Sequence, residues 1–420
     1  MNILFLAHRI PYPPNKGEKI RAFNILSHLA KTHTVHLGCF VDDARDFEHA
    51  ATLCELVKGE CQFIPLNKSI AMARMAGAMT TGGPLTTSYF ASKRLDRWIY
   101  DLLSRQLIDR VLAFSTAMAP FLLTQRLLEQ KRVILDMVDV DSDKWRQYAQ
   151  STSLPLSWIY RREARCLLAL ERKAATTFGA TLLVSPYEVE TLTDLAPETS
   201  RRVHSVANGV NLSYFAAKTD HPSPFSDSES PLVMTGTMDY RPNEEGAIWF
   251  VQEVLPVIRK SVPNARFYAV GANPGQSLKV LAGDGFVVTG RVDDVRPYLA
   301  HSHAVIAPLR MARGVQNKVL EGMAMQKPVV ATSQATRALG VSAGVELWIA
   351  DGPLEFARAV VEAMTSPQRE QIAQKARWYV EKCHNWERTL QPLDALLESE
   401  TEPTPLPRKP TCEDAVILGT

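Results

Sequence analysis

The sequence predicts an α/β protein built from two doubly wound, Rossmann-like domains. Three observations carry this. Short apolar runs alternate with amphipathic segments along most of the chain, as in parallel strands covered by helices. A polar, proline-containing stretch at 217–231 breaks the alternation once, after which it restarts. Residues 305–332 spell a complete strand–loop–helix–strand unit, the building block of a parallel sheet. At 420 residues the chain is long enough for two separate cores.

The first half opens with an apolar strand, Asn2–Ala7. A proline-rich loop follows and reaches Gly17, and then a helix with Ile20, Phe23, Leu26 and Leu29 on one side. Strands are expected at Val35–Phe40, Cys61–Pro65, Arg110–Phe114, Arg132–Asp136, Thr181–Ser185 and Val203–Val206. Between them fall helices at Ala44–Leu56, Ser69–Met79, Lys93–Gln106, Met118–Glu129, Pro155–Phe178 and Glu188–Asp194. Two of these helical segments, Ser69–Met79 and Lys93–Gln106, mix basic and apolar or aromatic residues. That suits either an ordinary solvated face or an interface. The stretch MVDVDSDKW places Asp136, Asp139, Asp141 and Asp143 close together. It lacks the glycine and terminal glutamate of a calcium loop, so helix capping or binding of a hydroxyl is expected instead.

In the second half, strands are expected at Leu232–Thr235, Arg266–Gly271, Phe286–Thr289, Val305–Pro308 and Val329–Ala331. Helices fall at Glu245–Ser261, Asp294–Ala300, Asn317–Met325, Leu354–Met364, Gln368–Trp378 and Trp386–Leu397. The domains expected are 1–216, 232–378 after the linker, and a closing helix at 379–398 that crosses back to the first domain. A proline-rich tail at 399–420 is expected to be disordered. The loop 310–316 feeds the N-terminus of the helix beginning at Asn317. That end carries partial positive charge and unpaired N–H groups suited to phosphate. Lys318 adds a cation, and Glu321 lies one turn on, on the same face.

Composition narrows the function. The net charge of +2 offers no field for nucleic acid. The six cysteines form no Cys-x-x-Cys pair, and free thiols in a reducing cytoplasm are expected. The apolar run at the N-terminus is too short for a signal peptide. No apolar run reaches the ~18 residues that span a bilayer. Attachment to the inner face of the cytoplasmic membrane stays open.

The segments NILFLAHRIPYPPNKGEKIRAFNILSHLA, ILDMVDVDSDKW, NGVN, GTMDYRPN and NKVLEGMAMQKPVVAT resemble a GT-B glycosyltransferase of the large retaining family four. More narrowly, they are similar to sugar transferases of the PEP-CTERM/exosortase exopolysaccharide system. The resemblance covers nearly everything but the tail. It implies a nucleotide-diphosphate sugar donor on the second domain, a saccharide or lipid-linked acceptor on the first, and no metal or cofactor. Glu321 matches the glutamate that bonds the nucleotide ribose. Gly17, Gly236 and Gly314 match glycines beside the donor phosphates, and Arg291 and Val292 lie where the base is held. Thr237, Asn243 and Gln316 join the expected donor set.

The pattern departs in one place. The family's first glutamate, eight positions before the second, falls here on Arg313. Lys318, Arg241 and Arg313 are then the cations left to meet the charge of a leaving diphosphate. His8, at the end of the first strand, is a candidate for substrate contact or proton relay. Asp139 and Asp141 are candidates for orienting the acceptor. Two further readings stay open: a nucleotide-sugar epimerase of similar build, and a degenerate scaffold for polysaccharide assembly.

Overall fold

The computed structural model describes residues 1–14, 17–217, 220–312 and 314–399. It divides into two compact units, one of residues 1–206 with 390–399, the other of 207–389. The first boundary falls after Val206 rather than after residue 216. The returning segment starts at Leu390 rather than at 379. The stretch expected as a linker belongs to the second unit, and its residues 218–219, like residues 400–420 of the tail, lie outside the described residues.

The first unit is a seven-stranded parallel sheet: β1 (Asn2–Ala7), β2 (Thr34–Val41), β3 (Lys58–Pro65), β4 (Arg110–Phe114), β5 (Val133–Val138), β6 (Ala180–Leu183) and β7 (Val203–Ser205). The order is β3-β2-β1-β4-β5-β6-β7. Every residue of β1 from Ile3 to Ala7 is fully buried, as its unbroken apolar run requires when helices cover both faces. The second unit is a six-stranded parallel sheet: β8 (Ser230–Thr235), β9 (Ala265–Val270), β10 (Phe286–Gly290), β11 (Ala304–Ala307), β12 (Val329–Ala331) and β13 (Trp348–Ile349). Its order is β10-β9-β8-β11-β12-β13. In each sheet the chain leaves the central strand in one direction and later returns on its other side. Ligands of doubly wound folds bind at that reversal, beyond the carboxyl ends of the strands. The reversals lie between β1 and β4 and between β8 and β11.

Two helical expectations are corrected, and one helix is added. The helix expected over Met118–Glu129 ends at Leu123. There Thr124 Oγ1 donates to Pro120 O (3.2 Å) and Gln130 Nε2 to Leu122 O (3.0 Å), satisfying the last carbonyls from side chains. The helix expected from Glu245 starts at Arg241 and opens into a wide π turn at Phe250–Val254. Pro256 follows and has no N–H to offer the carbonyl four residues back. The aspartate-rich stretch after β5 forms a helix, Asp141–Gln150, whose first-turn carboxylates favour its N-terminus. The buried Glu171 carboxylate accepts from the Ser142 N–H at 3.0 Å and from the Ser142 hydroxyl.

Cys39, Cys54, Cys61 and Cys166 are free thiols. No helix of the described residues is long and apolar enough to cross a membrane.

Candidate functional site

In the second unit, three neighbouring strands end in glycines of positive φ: Gly236 after β8 (149°), Gly271 after β9 (152°) and Gly290 closing β10 (70°). Gly236 and Gly271 touch back to back. A Cβ on Gly271 would lie 1.7 Å from the Gly236 carbonyl oxygen, a spacing only glycine allows. At Gly236 a Cβ would stand 2.8 Å from Asn243 Nδ2 and 3.6 Å from Lys318 Cε. The backbone turn at the end of β8 is therefore pressed against two of the expected donor residues.

Those residues form one chain of bonds. Asn243, in the first turn of the helix Arg241–Trp249, donates from Nδ2 to Thr237 O (2.9 Å) and accepts from Lys318 Nζ (3.0 Å). Lys318 belongs to the helix Asn317–Ala324, which leaves the loop after β11 and packs under the sheet through Val319, Leu320 and Met323, each fully buried. Burial pushes the Lys318 ammonium down to about 8, countered by Glu321 one turn on. Burial likewise raises Glu321, opposed by Lys318 and by the Thr235 hydroxyl, which donates to Oε2 at 3.3 Å. A cation, a carboxylate and the amino end of a helix thus meet at the reversal between β8 and β11. That arrangement can hold a phosphate and, beside it, a hydroxyl donor.

The structure brings Gly236, Thr237, Asn243, Lys318 and Glu321 together. Gln316 is the N-cap of the Lys318 helix, though its side chain makes no capping bond. Gly314 sits just before it at φ 58°. Arg313 lies outside the described residues. Arg241 heads the helix of Asn243, but its guanidinium is bonded to Glu245 (2.6 Å) and no described bond ties it to Lys318. Arg291 is exposed and Val292 half-buried, in the turn after β10.

Sequence reasoning missed Thr235, Gly271 and a trio beside the β10 turn. Tyr214 donates to Asp294 Oδ1 (3.2 Å), and the Arg296 guanidinium lies 4.1 Å from the Tyr214 ring centre. Gly271 had a signal, since Thr-Gly-Thr, Val-Gly-Ala and Thr-Gly-Arg each close an apolar run. The trio had none, because Tyr214 and Asp294 are remote in sequence.

In the first unit, His8 follows β1 and lies beside the reversal. Its ring stacks on Phe114, centroids 5.9 Å apart, and meets Phe90 edge-on at 5.5 Å. Nε2 lies 3.4 Å from Glu18 Oε2, and Arg9 also bonds Glu18. Burial alone would raise the Glu18 carboxyl. His8 and Arg9 outweigh it and hold the group well below the usual carboxylate range. Gly17 opens the helix Gly17–Thr32 next to Glu18. Asp139 follows β5, and Asp141 begins the helix after it with Lys144 at 3.7 Å. Their neighbour Asp136 is fully buried against Arg21 (2.8 Å).

Residues 229–366 match the family model described as glycosyl transferases group 1. No curated protein matches the chain. Among solved structures, Anabaena HepE in complex with UDP and glucose is similar at a TM-score of 0.69 and 13% identity, over 94% of this chain and 99% of that one. WaaG, a glycosyltransferase involved in lipopolysaccharide biosynthesis, is similar at 0.66 and 15%, over 94% and 100%. Sucrose-phosphate synthase from Thermosynechococcus elongatus is similar at 0.69 and 16%, over 94% and 98%. These likenesses establish the fold, a GT-B architecture, and the glycosyltransferase assignment comes from the domain matched at residues 229–366.

Proposed function

We propose that the chain transfers a sugar from a nucleoside-diphosphate sugar to a saccharide or lipid-linked acceptor, with retention of anomeric configuration, in exopolysaccharide biosynthesis at the inner face of the cytoplasmic membrane. The observation that carries the donor half is the bonded set Gly236–Asn243–Lys318 beside Glu321. It offers a cation and helix N–H groups to the diphosphate, and a carboxylate to the ribose hydroxyls. HepE has been solved in complex with UDP and with UDP-glucose, and such a donor fits these groups. The acceptor, the pathway and the stereochemistry rest on the resemblance of the sequence motifs.

In this reading the bond between the anomeric carbon and the diphosphate oxygen breaks. Lys318, the helix N-terminus and Arg241 stabilise the charge that develops there. The acceptor oxygen bonds to the same face of the sugar, and its proton passes to the leaving phosphate oxygen. His8 lies on the acceptor-binding unit, where it contacts the substrate, and Asp139 and Asp141 orient the acceptor. Arg291 and Val292 line the base.

The test is a thermal-shift screen against UDP, GDP, ADP and CMP with wild type and Glu321→Ala. A ligand that binds the folded state raises the midpoint by mass action. A rise with one nucleotide, reduced in Glu321→Ala, is expected and names the base. A folded protein that responds to none of them would return the scaffold reading. An epimerised donor formed without acceptor would return the epimerase.

A further inference from the structure

The first unit carries an apolar tip over which none of the described residues packs. It is the turn between the helices Asp141–Gln150 and Leu156–Thr177. Leu154 is 73% exposed, Leu156 48% and Trp158 53%. Three large apolar side chains this open, within five positions, make a patch rather than scattered surface residues. Beyond them along the helix, at the i+3 and i+7 spacing from Trp158, stand Arg161 and Arg165, both exposed. Neither forms an ion pair among the described residues.

Charge says what covers the tip. Between Lys144 and Leu170 the only carboxylate is Glu163, and it is buried. It accepts from the backbone N–H groups of Leu85 (2.7 Å) and Thr86 (2.8 Å). Arg162 donates from Nη2 to Gly83 O (3.1 Å). These bonds fasten the helix to the segment around residue 84, which is itself free of Asp and Glu from Cys61 to Leu95. Behind the tip Trp145 packs on Tyr160, centroids 5.1 Å apart, so the apolar residues project from a fixed base. Rise along a helix puts Arg165 about 10 Å beyond Trp158. That is close to the ~5–10 Å by which an interfacial apolar face enters a bilayer. Apolar residues ending in Trp, followed by arginines at headgroup height and no opposing carboxylate, fit an anionic lipid surface.

We propose that the tip Leu154–Leu156–Trp158, with Arg161 and Arg165 behind it, docks the protein on an anionic bilayer. This deepens the membrane part of the function proposed above and rests on that part alone, not on the donor assignment.

The experiment is co-sedimentation of the full chain with vesicles of phosphatidylcholine and phosphatidylserine, against phosphatidylcholine alone. Wild type is expected to pellet with the anionic vesicles. Arg161→Glu/Arg165→Glu is expected to bind them at least about tenfold more weakly, given about 1 kcal/mol per basic residue near such a surface. Leu154→Ser/Leu156→Ser/Trp158→Ser is expected to lose binding. Trp158→Ser alone repeats the test should the triple variant fail to fold. Absence of vesicle binding in wild type, or binding equal in all variants, overturns the proposal. So does a wild-type dimer that the triple variant turns into a monomer, since the tip would then cover a second copy. Nucleotide-induced stabilisation, read on the same samples, separates failure of the docking surface from failure of the donor reading.

Discussion

Lys318 Nζ lies 3.0 Å from Asn243 Oδ1, joining the helix after β11 to the helix after β8. The ammonium is buried and its ordinary value of 10.5 is lowered to about 8. The carboxylate beside it, Glu321, is itself raised by burial. A diphosphate bound there would place a further anion on the ammonium.

The pH dependence follows with a definite sign. Between about pH 8 and pH 10.5 the unfolded chain binds more protons at this lysine than the folded one, so its burial penalty is present below pH 8 and relieved as pH rises. Nucleotide affinity runs the other way, because the diphosphate needs the charged ammonium. UDP affinity measured by calorimetry should fall above about pH 8, approaching tenfold per pH unit. Lys318→Met should weaken binding near neutrality by about 1.5–3 kcal/mol and flatten the profile. A wild-type profile flat to about pH 9.5 would remove Lys318 from the diphosphate.

Gly271 and Gly236 predict an order of damage. Alanine at either meets the strained backbone of positive φ, about 1–3 kcal/mol. At Gly271 the new methyl also meets the Gly236 carbonyl oxygen at 1.7 Å, whereas at Gly236 it meets the end of the Asn243 side chain at 2.8 Å. A side chain can swing aside; a neighbouring strand end cannot. Gly271→Ala should give the larger fall in thermal midpoint. Gly236→Ala should remain folded yet bind nucleotide poorly, because the Asn243 amide that holds Lys318 is displaced. Equal midpoints for the two variants would contradict this.

In the first unit, Arg21 Nε donates to Asp136 Oδ2 at 2.8 Å and Nη1 to Val206 O at 2.8 Å, with Arg21 only 1% exposed and Asp136 fully buried. Removing one partner strands the other charge. Arg21→Met should destabilise the unit by about 3–5 kcal/mol, and the pair Arg21→Met/Asp136→Leu by much less. Chemical denaturation of the single and double variants measures it. A double variant as unstable as Arg21→Met alone would show that packing, not charge, is what Arg21 supplies.

Much of this architecture was legible because buried parallel strands are unbroken apolar runs: β1, β4, β11 and β12 read directly as such. The helix at Asp141–Gln150 was not, because its start depends on Glu171 reaching Ser142 from 29 positions away. In the site, Lys318 and Glu321 followed from helical spacing alone. Asn243 as the partner of Lys318 and Thr235 as the partner of Glu321 did not, since each bond joins the end of β8 or the helix after it to the helix after β11, which only the sheet order makes neighbours. The wide turn before Pro256 was marked in the sequence by the proline itself.

Glu18 gives the last prediction. Its carboxylate holds His8 Nε2 at 3.4 Å and Arg9, and against its burial the His8 hydrogen bond and the Arg9 guanidinium keep it ionised well below the usual range. A carboxyl depressed in the folded state contributes stability that is present above its unfolded value of about 4.5 and is lost as pH falls below it. Glu18→Gln keeps the shape and removes the charge. Its thermal midpoint should lie below that of wild type near neutrality, and the gap should begin to narrow as pH falls below about 4.5 and keep narrowing towards the folded value. Activity should respond separately. With Glu18 neutral, the His8 ring keeps its stacking on Phe114 but loses the anion that orients Nε2, so kcat should fall with little change in KM for the donor. A gap between the two midpoints that stays constant down to about pH 3 would mean that Glu18 acts by packing and not by charge.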